Sequence, residues 1–216
     1  MIFYIDTSTS YLYSCLYEND KVIDELVVNL ERNLSKDTLS LVNEMYKRNN
    51  KTFRDTKKII AVTGPGSFTG IRVGLTIAKT IGWSLNIPII PISSLTAMAY
   101  SSEETNSFFA PIIDARRGYV YGSIYDPFNN SFIMNEQYVS LDALVASLES
   151  LPGDFSFITN DDFKLDFRVN KYVPNFKNII DKVKDNDAID AHLLDANYLK
   201  KTEAEEKRND CWIDKG

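Results

Sequence analysis

The chain has 216 residues, of which 44% are hydrophobic and 25% are charged, and its formal net charge is −6. This apolar content is enough for a folded core, while the acidic balance argues against a protein that binds nucleic acid by itself, since Lys and Arg drive phosphate binding. Two cysteines and one histidine exclude a disulfide framework, a zinc cluster and a two-histidine metal site.

No apolar run approaches the roughly 20 residues that a membrane helix needs. The chain also runs from its first residues into a strand pattern that reaches Asp6, which does not fit a signal peptide. We therefore expect a cytoplasmic protein that makes no membrane contact.

The charge is divided unevenly along the chain. Residues 1–100 carry 11 basic and 9 acidic side chains, whereas residues 101–216 carry 13 and 21. A polar stretch at residues 101–107 lies at the divide and is typical of a linker. The sequence therefore predicts two domains of roughly 100 residues, 1–100 and 101–216.

The first half predicts the element order β-β-β-α-β-α-β. Its segments are strands at Ile2–Asp6, Tyr11–Tyr17 and Val22–Val28, a helix with apolar positions from Leu34 onward capped by Ser35 or Asp37, a strand at Lys58–Thr63, a Gly-rich turn, a long helix from about Ser67 to Leu85 and a strand at Ile87–Ile90.

The second half begins in the same way, with an apolar strand that ends on Asp. It predicts strands at Phe108–Asp114, Val120–Tyr125 and Phe132–Val139, a helix at Ser140–Leu148, a strand at Phe155–Thr159 and a mostly helical remainder with a solvated, charged helix around Glu203–Glu206. The two strand–Asp starts indicate an internal duplication. Coincidence is the alternative, because alternating β and α segments are common in α/β proteins.

The segment from Thr63 to Gly74 is the most distinctive in the sequence, because five of the nine glycines fall between positions 64 and 82. It has neither the GxxxxGK[ST] spacing of a P-loop nor the GxGxxG spacing of a dinucleotide site. It leads from a strand into a helix whose positions 70, 74, 78 and 82 are Gly, Gly, Ala and Gly. Since a helical Gly costs about 1 kcal/mol relative to Ala, this stripe calls for a close neighbour. The neighbour is either a partner molecule or this chain's own sheet or helices.

Asp6 and Asp114 are the best-placed carboxylates, because each ends a strand before a turn of small residues. Such a carboxylate can hold a hydrated divalent metal or orient a nucleotide phosphate, or it can simply bond turn amides. We favour the second interpretation for Asp114. His192 lies in an apolar stretch and is interpreted as a bystander. Ser67 has no evident base, and one histidine is too few for a metalloprotease.

Five stretches together resemble the TsaB (YeaZ) family over almost the whole chain. They are Ile5–Ser8, Gly64–Gly74 with Ala78-Lys79, Ser93–Leu95 after Ile87-Pro88, Asp114–Gly118 with Val120-Tyr121, and Tyr198–Lys200 with Ala204-Glu205. The resemblance implies an α/β fold of two duplicated ribonuclease H-like domains of the actin and sugar-kinase (ASKHA) superfamily, with mixed sheets flanked by helices. We expect the last helix to pack back on the first domain.

The resemblance also implies a function, the formation of threonylcarbamoyladenosine beside the anticodon of tRNAs that read codons beginning with A. The chain would be a non-catalytic subunit that partners the paralogue TsaD, with the ATPase TsaE assisting. Alone it would be a homodimer, and it would meet tRNA only through the complex. It would have no cofactor of its own, with ATP and a divalent metal acting only in the assembled complex.

The resemblance assigns the partner interface to the start of the long helix, at Ser67, Phe68, Thr69, Gly70, Arg72, Gly74 and Ala78, and so favours a partner as the neighbour of the small-residue stripe. Asp6, Thr7 and Ser8 would be a vestigial nucleotide or phosphate site, with no catalytic residue and no metal ligand. Many relatives have a His at the position of Leu34 and a Glu at the position of Tyr119, so this chain departs from the family pattern at both. The alternative is an ATP-binding kinase or ATPase of the same superfamily that uses Asp6 and the Thr7–Ser10 turn. Against it, the second half lacks the Gly-rich turns with which kinases of this superfamily bind adenine.

Overall fold

The first half of the protein forms a five-stranded mixed sheet in the computed structural model, which describes residues 1–103 and 106–199. Its strands, in the spatial order β3-β2-β1-β4-β5, are β1 (Ile2–Asp6), β2 (Tyr11–Glu18), β3 (Lys21–Asn29), β4 (Lys58–Val62) and β5 (Ile89–Ile92). The helices of this half are α1 (Leu34–Arg48), α2 (Phe68–Leu85) and α3 (Ser94–Tyr100).

The second half forms another five-stranded sheet, in the order β8-β7-β6-β9-β10. Its strands are β6 (Phe108–Asp114), β7 (Tyr119–Asp126), β8 (Ser131–Ser140), β9 (Phe155–Thr159) and β10 (Val169–Lys171), and its helices are α4 (Leu141–Glu149) and α5 (Phe176–Val183).

The two sheets have the same topology. In each, the first three strands form an antiparallel meander, and the fourth and fifth strands run parallel to the first. This repeated order is the internal duplication that the two strand–Asp starts predict. One connection differs, because α2 joins β4 to β5, whereas residues 160–168 join β9 to β10 without a helix.

A shared apolar core joins the two sheets. Helices α3 and α5 contribute to it, together with the facing residues of both sheets. The ring of Tyr4 in β1 meets that of Phe176 in α5 edge-on at 5.4 Å between centroids, and Tyr13 in β2 meets Tyr172 at 5.3 Å. The Asn160 side-chain amide also donates a hydrogen bond to the Tyr13 hydroxyl at 2.7 Å. The halves are therefore packed against each other around one core.

After α5 the chain returns to the first half. Ile189 pairs with Ile89 of β5 in an antiparallel bridge, and the Asn197 amide donates to the Thr63 carbonyl at 2.8 Å. Residues 189–197 thus lie beside the first sheet, although they follow the second sheet in sequence. The limits 1–100 and 101–216 remain a prediction.

Three local predictions are corrected by the structure. Neither Ser35 nor Asp37 caps α1, because a 3₁₀ turn at Glu31–Asn33 leads directly into the helix at the buried Leu34. Strand β5 begins two residues later than predicted. Among residues 160–199, the part after β9 that the structure describes, helix is confined to α5 and a short 3₁₀ turn, and residues 169–171 extend the sheet beside β9, so this part is not mostly helical.

The charged helix predicted around Glu203–Glu206 lies outside the described residues. His192 lies in a short 3₁₀ turn and is exposed. In the described part of the chain, no helix has the length and apolar character needed to cross a membrane.

Candidate functional site

Helix α2 begins against the β1–β2 turn. Ser67 caps the helix, with its hydroxyl oxygen accepting from the Gly70 amide, while its own amide donates to the Ser8 carbonyl at 2.7 Å. Gly66 has a φ of +152°, and a Cβ atom built on it would lie 2.2 Å from the Ser8 carbonyl oxygen. The Gly-rich loop is therefore shaped by its close approach to this turn.

The Thr7 hydroxyl is inserted into the first turns of α2. It donates to the Gly70 carbonyl at 2.7 Å and accepts from the Gly74 amide at 2.9 Å. Residues 70 and 74 have the spacing at which a helical amide bonds a carbonyl directly, so the hydroxyl bridges one step of the helix ladder. A Cβ atom built on Gly70 would lie 2.1 Å from the Thr7 carbonyl oxygen, and one built on Gly74 would lie 2.4 Å from Thr7 Oγ1. We call this contact the Thr7 clamp.

The rest of the small-residue stripe also faces this chain. Ala78 is fully buried, and a Cβ atom on Gly82 would lie 2.9 Å from Ile89 Cδ1 and 3.2 Å from Ala191 Cβ. The spacing of the small residues left two possible neighbours for the stripe, a partner molecule or this chain. In the structure the neighbour is this chain. Gly70, Gly74 and Ala78 are therefore not available as partner-interface residues, because the fold already covers them.

The opposite side of α2 is accessible. Ser67, Phe68, Thr69 and Arg72 are all exposed. The Arg72 guanidinium lies 3.8 Å from the centroid of the Phe68 ring, which stacks on Tyr198 at 5.3 Å, and Arg72 Nε donates to the Tyr198 hydroxyl. We call Phe68, Arg72 and Tyr198 the α2 surface. Exposed aromatic and arginine side chains of this kind dominate the energetics of protein interfaces.

The two strand-end aspartates form the same local structure. Asp6 Oδ1 accepts from the Ser8 amide and Asp114 Oδ1 accepts from the Arg116 amide, both at 2.7 Å. Asp6 is only 2% exposed, and burial raises its pKa to about 6. Asp114 is exposed, and its bond to the turn matches the interpretation favoured from the sequence. Among the described residues, no group of three or more His, Cys, Asp or Glu side chains could hold a metal ion.

A cleft of about 550 Å³ opens between the two halves, with both strand-end turns and the start of α2 on its walls. Tyr11, Tyr121, Tyr172, Asn160 and Asp161 also line it. Sequence reasoning missed these five residues. Asn160 and Asp161 directly follow the parallel strand β9, and that position could have identified them, since ligands of α/β proteins gather at the carboxyl ends of such strands.

Comparison with known proteins identifies the family. The family described as "TsaD: tRNA N6-adenosine threonylcarbamoyltransferase" matches residues 25–167. The tRNA threonylcarbamoyladenosine biosynthesis protein TsaB of Bacillus subtilis (strain 168) is 32% identical, and the alignment covers 97% of this chain and 96% of that protein. The chain belongs to the TsaB family. A TsaB of Haemophilus influenzae is 36% identical over 55% of this chain and 51% of its own length.

Two solved structures from Pseudomonas aeruginosa share the fold. "YeaZ from Pseudomonas aeruginosa" has a TM-score of 0.75 at 18% identity, and a second Pseudomonas aeruginosa protein with similarity to YEAZ has a TM-score of 0.78 at 17% identity. Each comparison covers 92% of this chain and 99% of the other. The predicted fold class, duplicated ribonuclease H-like halves of the ASKHA type, is confirmed.

Proposed function

We propose that this TsaB-family chain is a non-catalytic subunit in the formation of threonylcarbamoyladenosine on tRNAs that read codons beginning with A, where it holds a TsaD paralogue in its active arrangement. The names of its relatives support the pathway. The proposal includes assistance by a TsaE-type ATPase.

The α2 surface is the observation that carries this proposal. Its three side chains contact one another: the Arg72 guanidinium lies over the Phe68 ring and donates to the Tyr198 hydroxyl, and the rings of Phe68 and Tyr198 stack. The helix beneath them is fixed by the Thr7 clamp. A patch that is already ordered loses little side-chain entropy when a partner covers it, which favours tight association.

The placement of the polar side chains supports a non-catalytic role. The Ser67 hydroxyl caps α2, whereas His192 packs against Trp83 near the other end of that helix, 6.3 Å between ring centroids. Positions 67 and 83 of one helix are roughly 24 Å apart at 1.5 Å per residue. In the described part of the chain, these two groups therefore do not form a nucleophile–base pair.

Charge supports assigning ATP, a divalent metal and tRNA to the assembled complex rather than to this chain. The cleft walls carry Asp114 and Asp161 against one cationic side chain, Arg116. A triphosphate would meet repulsion there, and the net charge of −6 opposes binding of tRNA to the isolated chain. This charge pattern also disfavours the kinase or ATPase alternative.

We propose that the isolated chain forms a homodimer through the α2 surface, which gel filtration of the Arg72→Glu variant would test.

Substitutions on the α2 surface test the partner role. We expect Arg72→Glu and Phe68→Ala each to weaken co-purification with the TsaD paralogue by at least about tenfold, because both remove an exposed contact without entering the core. Phe128→Ala is the matched control, since Phe128 is 81% exposed on the β7–β8 turn of the other half. Full retention of the paralogue by both α2-surface variants, at unchanged melting temperature, would disprove the assignment.

A further inference from the structure

The β6–β7 turn carries two adjacent arginines, Arg116 and Arg117. Both are exposed, and among residues 1–103 and 106–199 neither guanidinium group forms an ion pair. The carboxylates of Asp114 and Asp161 lie at the base of the turn, where each accepts a hydrogen bond from a backbone amide. Two neighbouring positive charges are therefore available to an anionic partner, although the chain as a whole is acidic.

The backbone holds both arginines in a conformation that disfavours them. The φ angles of Arg116 and Arg117 are +68° and +57°, in the left-handed region that residues with a Cβ atom rarely adopt. The corresponding turn of the first half, Thr7–Ser10, contains no charged residue. The two charges are thus found only in the turn that α2 leaves open, and they are kept there at a conformational cost. Strain of this kind at an exposed position indicates a role other than folding.

A pair of stacked tyrosines lies beside the arginines. Tyr119, the first residue of β7, stacks on Tyr138 of β8 with 4.8 Å between the ring centroids and an interplanar angle of 8°. Val120 and Val139, which alternate with these residues along the strands, pack with α4, so the tyrosines lie on the other face of the sheet. Tyr119 is 41% exposed, and its open ring face is the one away from Tyr138. We call Arg116, Arg117, Tyr119 and Tyr138 the Arg–Tyr surface.

This combination suits a chain in which phosphates alternate with planar bases. Guanidinium groups pair with phosphate oxygens, and exposed tyrosine rings stack on the unpaired bases of single-stranded RNA. An acidic peptide would pair with the arginines but would leave the open ring face unused. The net charge of −6 weakens binding by the whole chain, but salt screens charges more than about 8 Å apart and so preserves a local contact.

We propose that the Arg–Tyr surface binds single-stranded RNA. A base stacks on the open face of Tyr119, and the phosphates next to that base pair with Arg116 and Arg117. The choice of RNA rests on the proposed function, in which tRNA is the molecule modified, and in the assembled complex this surface adds a contact between this chain and the tRNA. The α2 surface takes no part in it, so the two assignments can fail separately.

The test measures binding of a fluorescent seven-nucleotide oligoadenylate to the full chain, without the paralogue, at about 50 mM salt, where phosphate contacts are strong. We expect Tyr119→Ala to weaken binding at least about tenfold, the loss of one stacked base, and Tyr119→Phe, which keeps the ring, to change it less than about twofold. Phe128→Ala is the matched control, because it removes an 81% exposed ring from the turn that follows β7. Equal losses for Tyr119→Ala and Phe128→Ala, or no binding by the unmodified chain at millimolar RNA, would overturn the proposal.

The arginines are tested by a substitution that also relieves the backbone. We expect Arg117→Gly to weaken RNA binding by about threefold or more and to make the dependence of log affinity on log salt shallower by about 0.7, the value for one phosphate of a single strand. Its melting temperature should stay the same or rise, since glycine suits a φ of +57°. Lys171→Ala removes one exposed charge from the far edge of the same sheet and should change binding less than about twofold. An unchanged salt dependence in Arg117→Gly, or tighter binding of heptaglutamate than of the oligoadenylate, would contradict the proposal, the second because it would make an acidic peptide the ligand.

Discussion

The β1–β2 turn and the β6–β7 turn both start with an aspartate that makes the same hydrogen bond, but the first turn is largely buried and the second is largely exposed. Each follows the first strand of its sheet, and each contains an aspartate whose carboxylate accepts the amide two residues later at 2.7 Å. The first turn lies beneath the Gly-rich loop and α2, whereas the second is exposed and carries left-handed residues at Arg116, Arg117 and Gly118. Duplication has kept the motif and changed what covers it.

The difference follows from one connection. In the first half α2 joins β4 to β5 and presses its glycines against Thr7, but the corresponding connection in the second half contains no helix. The rigid surface proposed for partner binding therefore exists only in the first half, and the open turn of the second half is left to face the cleft.

The largest expected effect comes from placing a methyl group in the covered turn. We expect Gly70→Ala to lose at least about 4 kcal/mol of unfolding free energy, because the new Cβ would lie 2.1 Å from a backbone oxygen that cannot move aside. Gly118→Ala in the open turn meets no atom within 4 Å and should cost only about 1 kcal/mol, for its φ of +78°. Urea denaturation measures both. Similar losses for the two variants would mean that α2 does not clamp the first turn.

A Gly74→Leu substitution would not test the partner interface, although the family resemblance assigns Gly74 to it. Its Cβ would lie 2.4 Å from Thr7 Oγ1. Loss of a partner by that variant would report unfolding, so the exposed residues of the α2 surface are the ones to change.

The next effect concerns the buried aspartate. Because the pKa of Asp6 is about 6 in the folded protein and 3.8 when unperturbed, the folded state binds the proton more tightly. Stability therefore falls as pH rises from about 4 through 6, and the full cost, about 3 kcal/mol at one pKa unit per 1.36 kcal/mol, is present at pH 7.5.

We expect Asp6→Asn to recover up to about 3 kcal/mol at pH 7.5 and to flatten this pH dependence, since Asn can still accept from the Ser8 amide. Asp114→Asn in the exposed turn should change stability by less than about 0.5 kcal/mol at either pH. Thermal unfolding at pH 5 and 7.5 separates the two. A destabilising Asp6→Asn at pH 7.5 would indicate that the charge is compensated by something bound in the cleft.

Sequence reasoning predicted what is local and missed what the topology assembles. The order of strands and helices along the first half and the limits of α2 follow from periodicity, and the structure places them within a few residues. The neighbour of the Gly70–Gly74 stripe could not be derived, because a stripe packed on the same chain and one packed on a partner have the same spacing. Tyr172 reaches the cleft only through the pairing of distant strands, which no local pattern records, whereas the position of Asn160 directly after β9 could have identified it.

The smallest effect distinguishes how the clamp works. In Thr7→Val a methyl group replaces the hydroxyl that bonds the Gly70 carbonyl and the Gly74 amide, so both groups lose this hydrogen-bond partner. We expect a loss of about 2 kcal/mol. Thr7→Ala should cost less, because the smaller side chain lets the amide and carbonyl bond each other directly as in an ordinary helix. The counterpart in the open turn, Ala115→Val, should change stability by less than about 0.5 kcal/mol. A larger loss for Thr7→Ala than for Thr7→Val would mean that the Thr7 side chain contributes through packing rather than through the two hydrogen bonds of its hydroxyl.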